Sequence, residues 1–123
     1  MLSGDPEGVL GRVRGLALAL AETDEVVSHG IPAFRVAGKM FAYFRHDHHG
    51  DGMTVVCVKT SGRDEQEMLI EADPELFSRP AYLWPSGWVG MSLASPDGDW
   101  EHVAGRLAAS WRLAAPKRLT RDL

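Results

Sequence analysis

An α+β fold, with an antiparallel β-sheet meander packed against N-terminal and C-terminal helices, is the architecture the sequence predicts. Three observations predict it. Apolar residues recur at helical spacing near both ends: Val9, Leu10, Val13, Leu16 and Leu20 at one, Trp100, Val103, Leu107, Trp111 and Ala114 at the other. The stretch between them is rich in β-branched and aromatic residues interrupted by glycine turns. The order helix, meander, helix, strand, helix also lacks the strand–helix alternation of a parallel βαβ design.

The first helix is expected over about residues 6–21. Asp5 would accept hydrogen bonds from the free amides of its first turn, and Pro6 pre-sets the backbone there. Glu25-Val26-Val27-Ser28 reads as a short strand closed by Gly30 and Pro32. The β-rich runs 33–36 and 39–45 flank Ala37-Gly38, a tight hairpin turn. A second hairpin leads from Phe44 to Met53 through the polar loop His46-Asp47-His48-His49-Gly50-Asp51-Gly52. Ser61 is expected to cap a charged helix over about 63–72, ended by Asp73-Pro74, with Glu75-Leu76-Phe77 adding one more turn. Val89, Met91 and Leu93 share one face of a strand over 88–93. Pro96-Asp97-Gly98 then turns the chain, Asp99 caps the last helix, and Pro116 stops it.

With 123 residues, 45% of them hydrophobic, the chain encloses one core, and residues 1–123 are read as a single domain. Seventeen acidic and 13 basic side chains leave a net charge of −4, so attraction to phosphate would require a local basic patch. The single cysteine, Cys57, lies in the apolar run 53–58, which excludes an intrachain disulfide and a multi-cysteine zinc site. The run 16–21 is too short to cross a bilayer, and its helical periodicity marks an amphipathic helix rather than a cleaved leader. The expectation is a cytoplasmic protein with no membrane partner and no cofactor.

Five islands stand in order along the chain. They are His29-Gly30-Ile31-Pro32-Ala33-Phe34-Arg35-Val36-Ala37-Gly38-Lys39-Met40-Phe41-Ala42, Ala72-Asp73-Pro74-Glu75, Arg79-Pro80-Ala81-Tyr82, Gly87-Trp88-Val89-Gly90 and Trp111-Arg112-Leu113-Ala114-Ala115-Pro116-Lys117-Arg118-Leu119. Together they resemble the MmcQ/YjbR family over nearly the whole length. The resemblance implies a compact α+β fold with an antiparallel sheet, described by likeness of shape as a double-wing DNA-binding arrangement. It carries no catalytic residues across.

Charge segregates along the chain. Arg35, Lys39, Arg45 and Lys59 occupy the meander, and Arg112, Lys117, Arg118 and Arg121 the C-terminal segment, while residues 63–75 are strongly acidic. The leading expectation is a non-enzymatic protein that binds double-stranded DNA weakly, laying Arg35, Lys39 and Arg45 against phosphates with Lys117 and Arg118 clamping nearby. The competing reading is an ordinary solvated sheet face. The alternative function is a protein-interaction or small-ligand module, with a protein partner on the acidic helix or a ligand pocket at Tyr82, Trp84 and Trp88. Those aromatics could equally be core. His46-Asp47-His48-His49 offers imidazole and carboxylate ligands, but consecutive residues on an extended loop point apart, and a solvated loop is expected in place of a metal site. His29 is expected as a neutral imidazole bonded to backbone.

Overall fold

The structure, a computed structural model, describes residues 6–93 and 99–121. The expected Asp5 cap and the Pro96-Asp97-Gly98 turn lie outside the described residues. Helix α1 (Pro6–Leu18) leads into β1 (Thr23–Ser28), β2 (Ile31–Val36), β3 (Lys39–His46) and β4 (Thr54–Lys59). Helix α2 (Arg63–Ala72), β5 (Phe77–Ser78), β6 (Trp88–Ser92), α3 (Trp100–Ala114) and the single turn α4 (Lys117–Thr120) complete it. All strands join one antiparallel sheet in the order β1-β2-β3-β4-β6-β5.

Ala37-Gly38 forms the expected hairpin turn, and His29-Gly30, read only as the close of a strand, forms another. His29-Gly30 and Ala37-Gly38 are two-residue turns, with φ of 53° and 79° in the first and 47° and 85° in the second. Positive φ at both central residues is what the twist of a hairpin asks of its turn, and glycine supplies it at Gly38 without steric cost.

Several boundaries differ from expectation, each for a local reason. Helix α1 ends at Leu18 rather than 21, because Thr23 Oγ1 bonds the Leu20 carbonyl and Trp111 Nε1 bonds that of Ala21, drawing the chain into a turn. Ser61 does not cap α2. The residue before the helix is Gly62, which has no oxygen to offer, and the Ser61 amide instead donates to the Glu65 carboxylate at 2.7 Å. Residues 74–76 do turn, but Phe77 leaves that turn to pair with Met91 as the start of β5. Strand β6 ends at Ser92, and β1 begins two residues earlier than read. Asp99 caps α3 as expected, accepting from the His102 amide at 3.0 Å.

The core lies between one face of the sheet and helices α1 and α3. Val9, Val13 and Ala17 from α1 and Val103, Leu107, Trp111 and Ala114 from α3 close over Phe34, Val36, Phe41, Phe44, Val56, Val58, Val89 and Met91. Strand β3 reaches this arrangement through a bulge. Ala42 pairs with Phe34 but Met40 pairs with Arg35, so Phe41 is one residue extra. Phe41, Ala42 and Phe44 therefore all enter the core. Ser110 on α3, fully buried, secures the irregular point: its hydroxyl donates to the Phe41 carbonyl at 2.5 Å and accepts from the Lys59 amide at 2.8 Å.

Replacing Ser110 with alanine strips both backbone groups of a partner, and a buried unmet donor or acceptor costs roughly 1–3 kcal/mol. Ser110→Ala is therefore expected to lower the urea midpoint by that equivalent. An unchanged midpoint would show that the bulge needs no support from α3.

Candidate functional site

Beyond the bulge, Tyr43 and Arg45 face away from the helices. They stand beside Cys57 and Val55, their partners on β4. On this second face Val55, Cys57 and Trp88 form a small apolar cluster joined by Met40, Tyr43 and Leu83, with the Tyr43 and Trp88 rings 5.1 Å apart. Residues 79–87 cross it as a strap. Buried Gln66 on α2 donates to the carbonyls of Trp84 and Trp88, both at 2.8 Å, holding the strap's far end. Below the near end, Gly90 packs close to β5, where a Cβ would sit 2.9 Å from Ser78 Oγ and oblige that hydroxyl to turn away.

The strap does not reach the edge of the sheet, and a cleft of about 360 Å³ is left beside it. Ser28, His29 and Ile31 of the first hairpin form one wall. Tyr43 and Arg45 form the floor, His48 and His49 the end, and Tyr82 and Leu83 the roof. A second cleft of about 290 Å³, lined by Met53, Val55, Ser78, Arg79 and Pro80 among others, adjoins it and shares Arg45, His48 and His49. Both volumes are of the order that small-molecule sites occupy.

Arg45 is the distinctive group. It is only 7% exposed. Its Nη2 donates to the Ala81 carbonyl at 2.9 Å, which ties the strap down, but Nε is buried with no hydrogen-bond partner in the protein. Among the described residues no carboxylate pairs with it. Nε2 of His48 is likewise buried and unpartnered.

The turn carrying the histidines is held by its own backbone. Asp47 Oδ1 accepts from the Gly52 amide and Asp51 Oδ1 from the Met53 amide, each at 2.8 Å. The His48 and His49 rings lie 4.0 Å apart, tilted by 55°, and His49 meets the Tyr82 ring edge-on at 5.9 Å. His29, Asp47, His49 and Tyr82 all have left-handed φ, between 52° and 69°. Side chains rarely adopt that conformation, and where it gathers the surrounding structure is imposing it. The pKa of His48 is lowered, first by burial and then by the positive charge of Arg45 and by His49, with Asp51 opposing. His46 turns the other way, its Nδ1 2.8 Å from Thr54 Oγ1. Among the described residues no three metal-ligating side chains converge.

The cations expected to act together are divided. Arg35 bonds Asp24 across the strand pair, at 2.5 and 3.1 Å. Arg118 bonds Glu22 in the same bidentate way, at 2.5 and 2.7 Å. Arg45 lies buried six residues along β3 from Lys39, roughly 20 Å at the rise of a strand. Lys39 and Lys59 are near one another at the opposite end of the sheet, where the Glu22–Arg118 pair also brings the start of α4 with Lys117. The expected aromatic trio divides too. Tyr82, 79% exposed, lines the cleft, Trp88 is buried in the apolar cluster, and Trp84 lies beneath the guanidinium groups of Arg63 and Arg79. His29 is exposed, with Nδ1 3.2 Å from Ser28 Oγ rather than on backbone. Cys57 is fully buried and its thiol is pushed up to about 11, the signature of an inert packing residue.

Arg45, His48 and His49 were the residues least visible as a cleft in the sequence. The sequence offered Arg45 as a phosphate contact and His48 and His49 as part of a polar loop, and their meeting in one cleft depends on the strand phase that the bulge sets.

A single antiparallel sheet with helices on one face and a strapped cleft on the other defines a small α+β domain. The YjbR family profile matches residues 18–113, most of the chain, and the protein belongs to that family. The crystal structure of the Deinococcus radiodurans protein DR2400, which carries a DUF419 domain, superposes with a TM-score of 0.70. It is 19% identical, and the match covers 89% of this chain and 80% of that one. The likeness shows a shared fold. No curated protein matches the chain. No helix of the described residues is long and apolar enough to cross a membrane.

His48 makes stability pH-dependent with a defined sign. Its folded pKa lies below the ordinary value near 6.5, so the stability it confers is full above that value and is lost as pH falls through the lower one. Urea midpoints taken at about pH 7.5 and about pH 5 should differ more for the wild type than for His48→Gln. An equal difference would remove His48 from the acid response.

Proposed function

We propose that this YjbR-family protein is a small-ligand-binding module whose site is the cleft beneath the strap. The observation that carries the reading is Arg45, a guanidinium buried on the floor of a small-molecule-sized cleft with Nε unpartnered. Arginine is seldom buried without a partner, because removing its charge from water costs several kcal/mol that only a well-placed group can offset. Apolar walls with a few convergent polar groups are the usual composition of a ligand site, and Ile31, Tyr43 and Leu83 beside Ser28, Arg45 and His48 have that composition. The reading is one of binding without chemistry. Cys57 is buried and poorly ionised, and the exposed Ser28–His29 pair has no carboxylate bonded to the imidazole among the described residues. A fragment library screened by thermal shift and tryptophan fluorescence should yield ligands that raise the melting temperature, and Tyr82→Ala together with Leu83→Ala should weaken them. A library of several hundred fragments, in order of magnitude, with no hit in the cleft would sink the proposal.

A second reading, weak binding of duplex DNA, draws on a separate observation. Burial and then the charge of nearby Lys39 lower the pKa of Lys59, with Lys117 at the same end of the sheet. Three lysines could meet a phosphate backbone there, whereas Arg35 and Arg118 already hold carboxylates. Labelled duplex titrated at low and moderate salt should bind more tightly at low salt. Lys39→Gln and Lys117→Gln should each reduce the salt slope by about 0.9. Flat titrations at both salts would end this reading.

A further inference from the structure

Resting on the cleft reading, we propose that the ligand is a carboxylate borne on a flat apolar body, its anionic group received between Arg45 Nε and the imidazole of His48. Among the described residues two buried side-chain atoms on this face have no partner, Arg45 Nε and His48 Nε2, and both residues line the same cleft. Nη2 of Arg45 is committed to the Ala81 carbonyl, so the guanidinium meets the ligand already oriented. A carbonyl satisfies a hydrogen bond but leaves the charge uncompensated, and an anion supplies both. The charged and titratable groups around the position are Arg45 from β3, His48, His49 and Asp51 from the turn, Tyr82 from the strap, His29 from the first hairpin, and Arg79 in the adjoining cleft.

Charge favours a carboxylate over a phosphate. Among the described residues Arg45 is the one permanent cation lining the first cleft; Arg79 stacks on Trp84 at 4.9 Å and lines only the second. Asp51, which lines the second cleft, opposes a second negative charge. A single negative charge balances the single permanent charge of Arg45. Apart from Ser28 and the other imidazoles, the rest of the lining is apolar or aromatic. Ile31 and Leu83 line it, and Tyr82 is exposed enough to cover a ring from above. The requirement is for a small ring carrying one carboxylate.

The test compares benzoate, benzamide and phenyl phosphate on the full chain, followed by tryptophan fluorescence and by the Nε–H resonances of the arginines in ¹⁵N-labelled protein. Benzoate is expected to bind and to move the Arg45 Nε–H signal. Benzamide, neutral and of the same shape, should bind about 10- to 100-fold more weakly, the value of a charge-assisted hydrogen bond. Arg45→Met keeps the buried stem and should bring benzoate and benzamide to similar affinity, abolishing the preference for benzoate; unaltered backbone spectra will show that it folds. Should that variant unfold, His48→Gln serves the same comparison, with a smaller loss for benzoate alone. Equal affinity for benzoate and benzamide would overturn the anion assignment while leaving the cleft as a ligand site. Preference for phenyl phosphate would overturn the carboxylate. Failure of all three probes where uncharged fragments bind would overturn the anion proposal alone, and failure of every fragment would take the cleft reading with it.

Discussion

One extra residue in β3 governs what each face of this sheet can be. Side chains alternate along a strand, so a shift of one residue exchanges the two faces. Counting outward from buried Phe41 without a bulge would send Tyr43 and Arg45 into the helical core and leave Ala42 and Phe44 outside. The bulge at Phe41 reverses that assignment. It lets Phe41, Ala42 and Phe44 all join the core while Tyr43 and Arg45 face the strap. Ser110 is the fixture that makes the irregular ladder tolerable, since the same hydroxyl serves a carbonyl of β3 and an amide of β4. Core packing and cleft chemistry thus share one constraint.

The strap gives the second face its depth. A sheet packed by helices on one side alone would expose Val55, Cys57 and Trp88, and residues 79–87 cover them instead. Three polar attachments hold this segment: Gln66 on the carbonyls of Trp84 and of Trp88 just beyond it, Thr60 on the carbonyl of Gly87, and Arg45 on that of Ala81. The first two are satisfied, neutral contacts. The third buries a charge against a dipole, an arrangement that holds the chain in place yet leaves electrostatic work undone. The cleft opens beside that third attachment.

Electrostatics elsewhere is quieter. The exposed Arg35–Asp24 and Arg118–Glu22 pairs have good bidentate geometry, but screening by solvent keeps such contacts modest. Their effect is to remove two arginines from the surface available to an anionic partner. Acidic α2 behaves similarly: Glu65 turns inward to Arg106 of α3, while Asp64, Glu67 and Glu71 remain in solvent beside exposed Met68. The net charge of −4 is thus spread over a surface on which Lys39 and Lys59 form the cationic end.

Periodicity and turn chemistry, both local, determined much of this protein from sequence alone. The apolar stripes of α1 and α3, the two hairpin turns, the Asp99 cap and the inert burial of Cys57 were all legible. So was the family likeness carried by the five islands. Ends of elements were less so, because Trp111 and Thr23 stop α1 through contacts that are distant in sequence or outside the helix. The same holds for β5, whose two residues are a strand only because β6 lies beside them. The candidate site was legible only in fragments. Arg45 was visible as a cation and Tyr82 as an aromatic, but His48 and His49 read as a solvated loop. Which cations meet, which are spent on Asp24 and Glu22, and which one is buried are matters of strand phase and long-range packing. A sequence specifies the alternation of a strand, whereas the place where that alternation breaks is decided by the helix that must pack upon it.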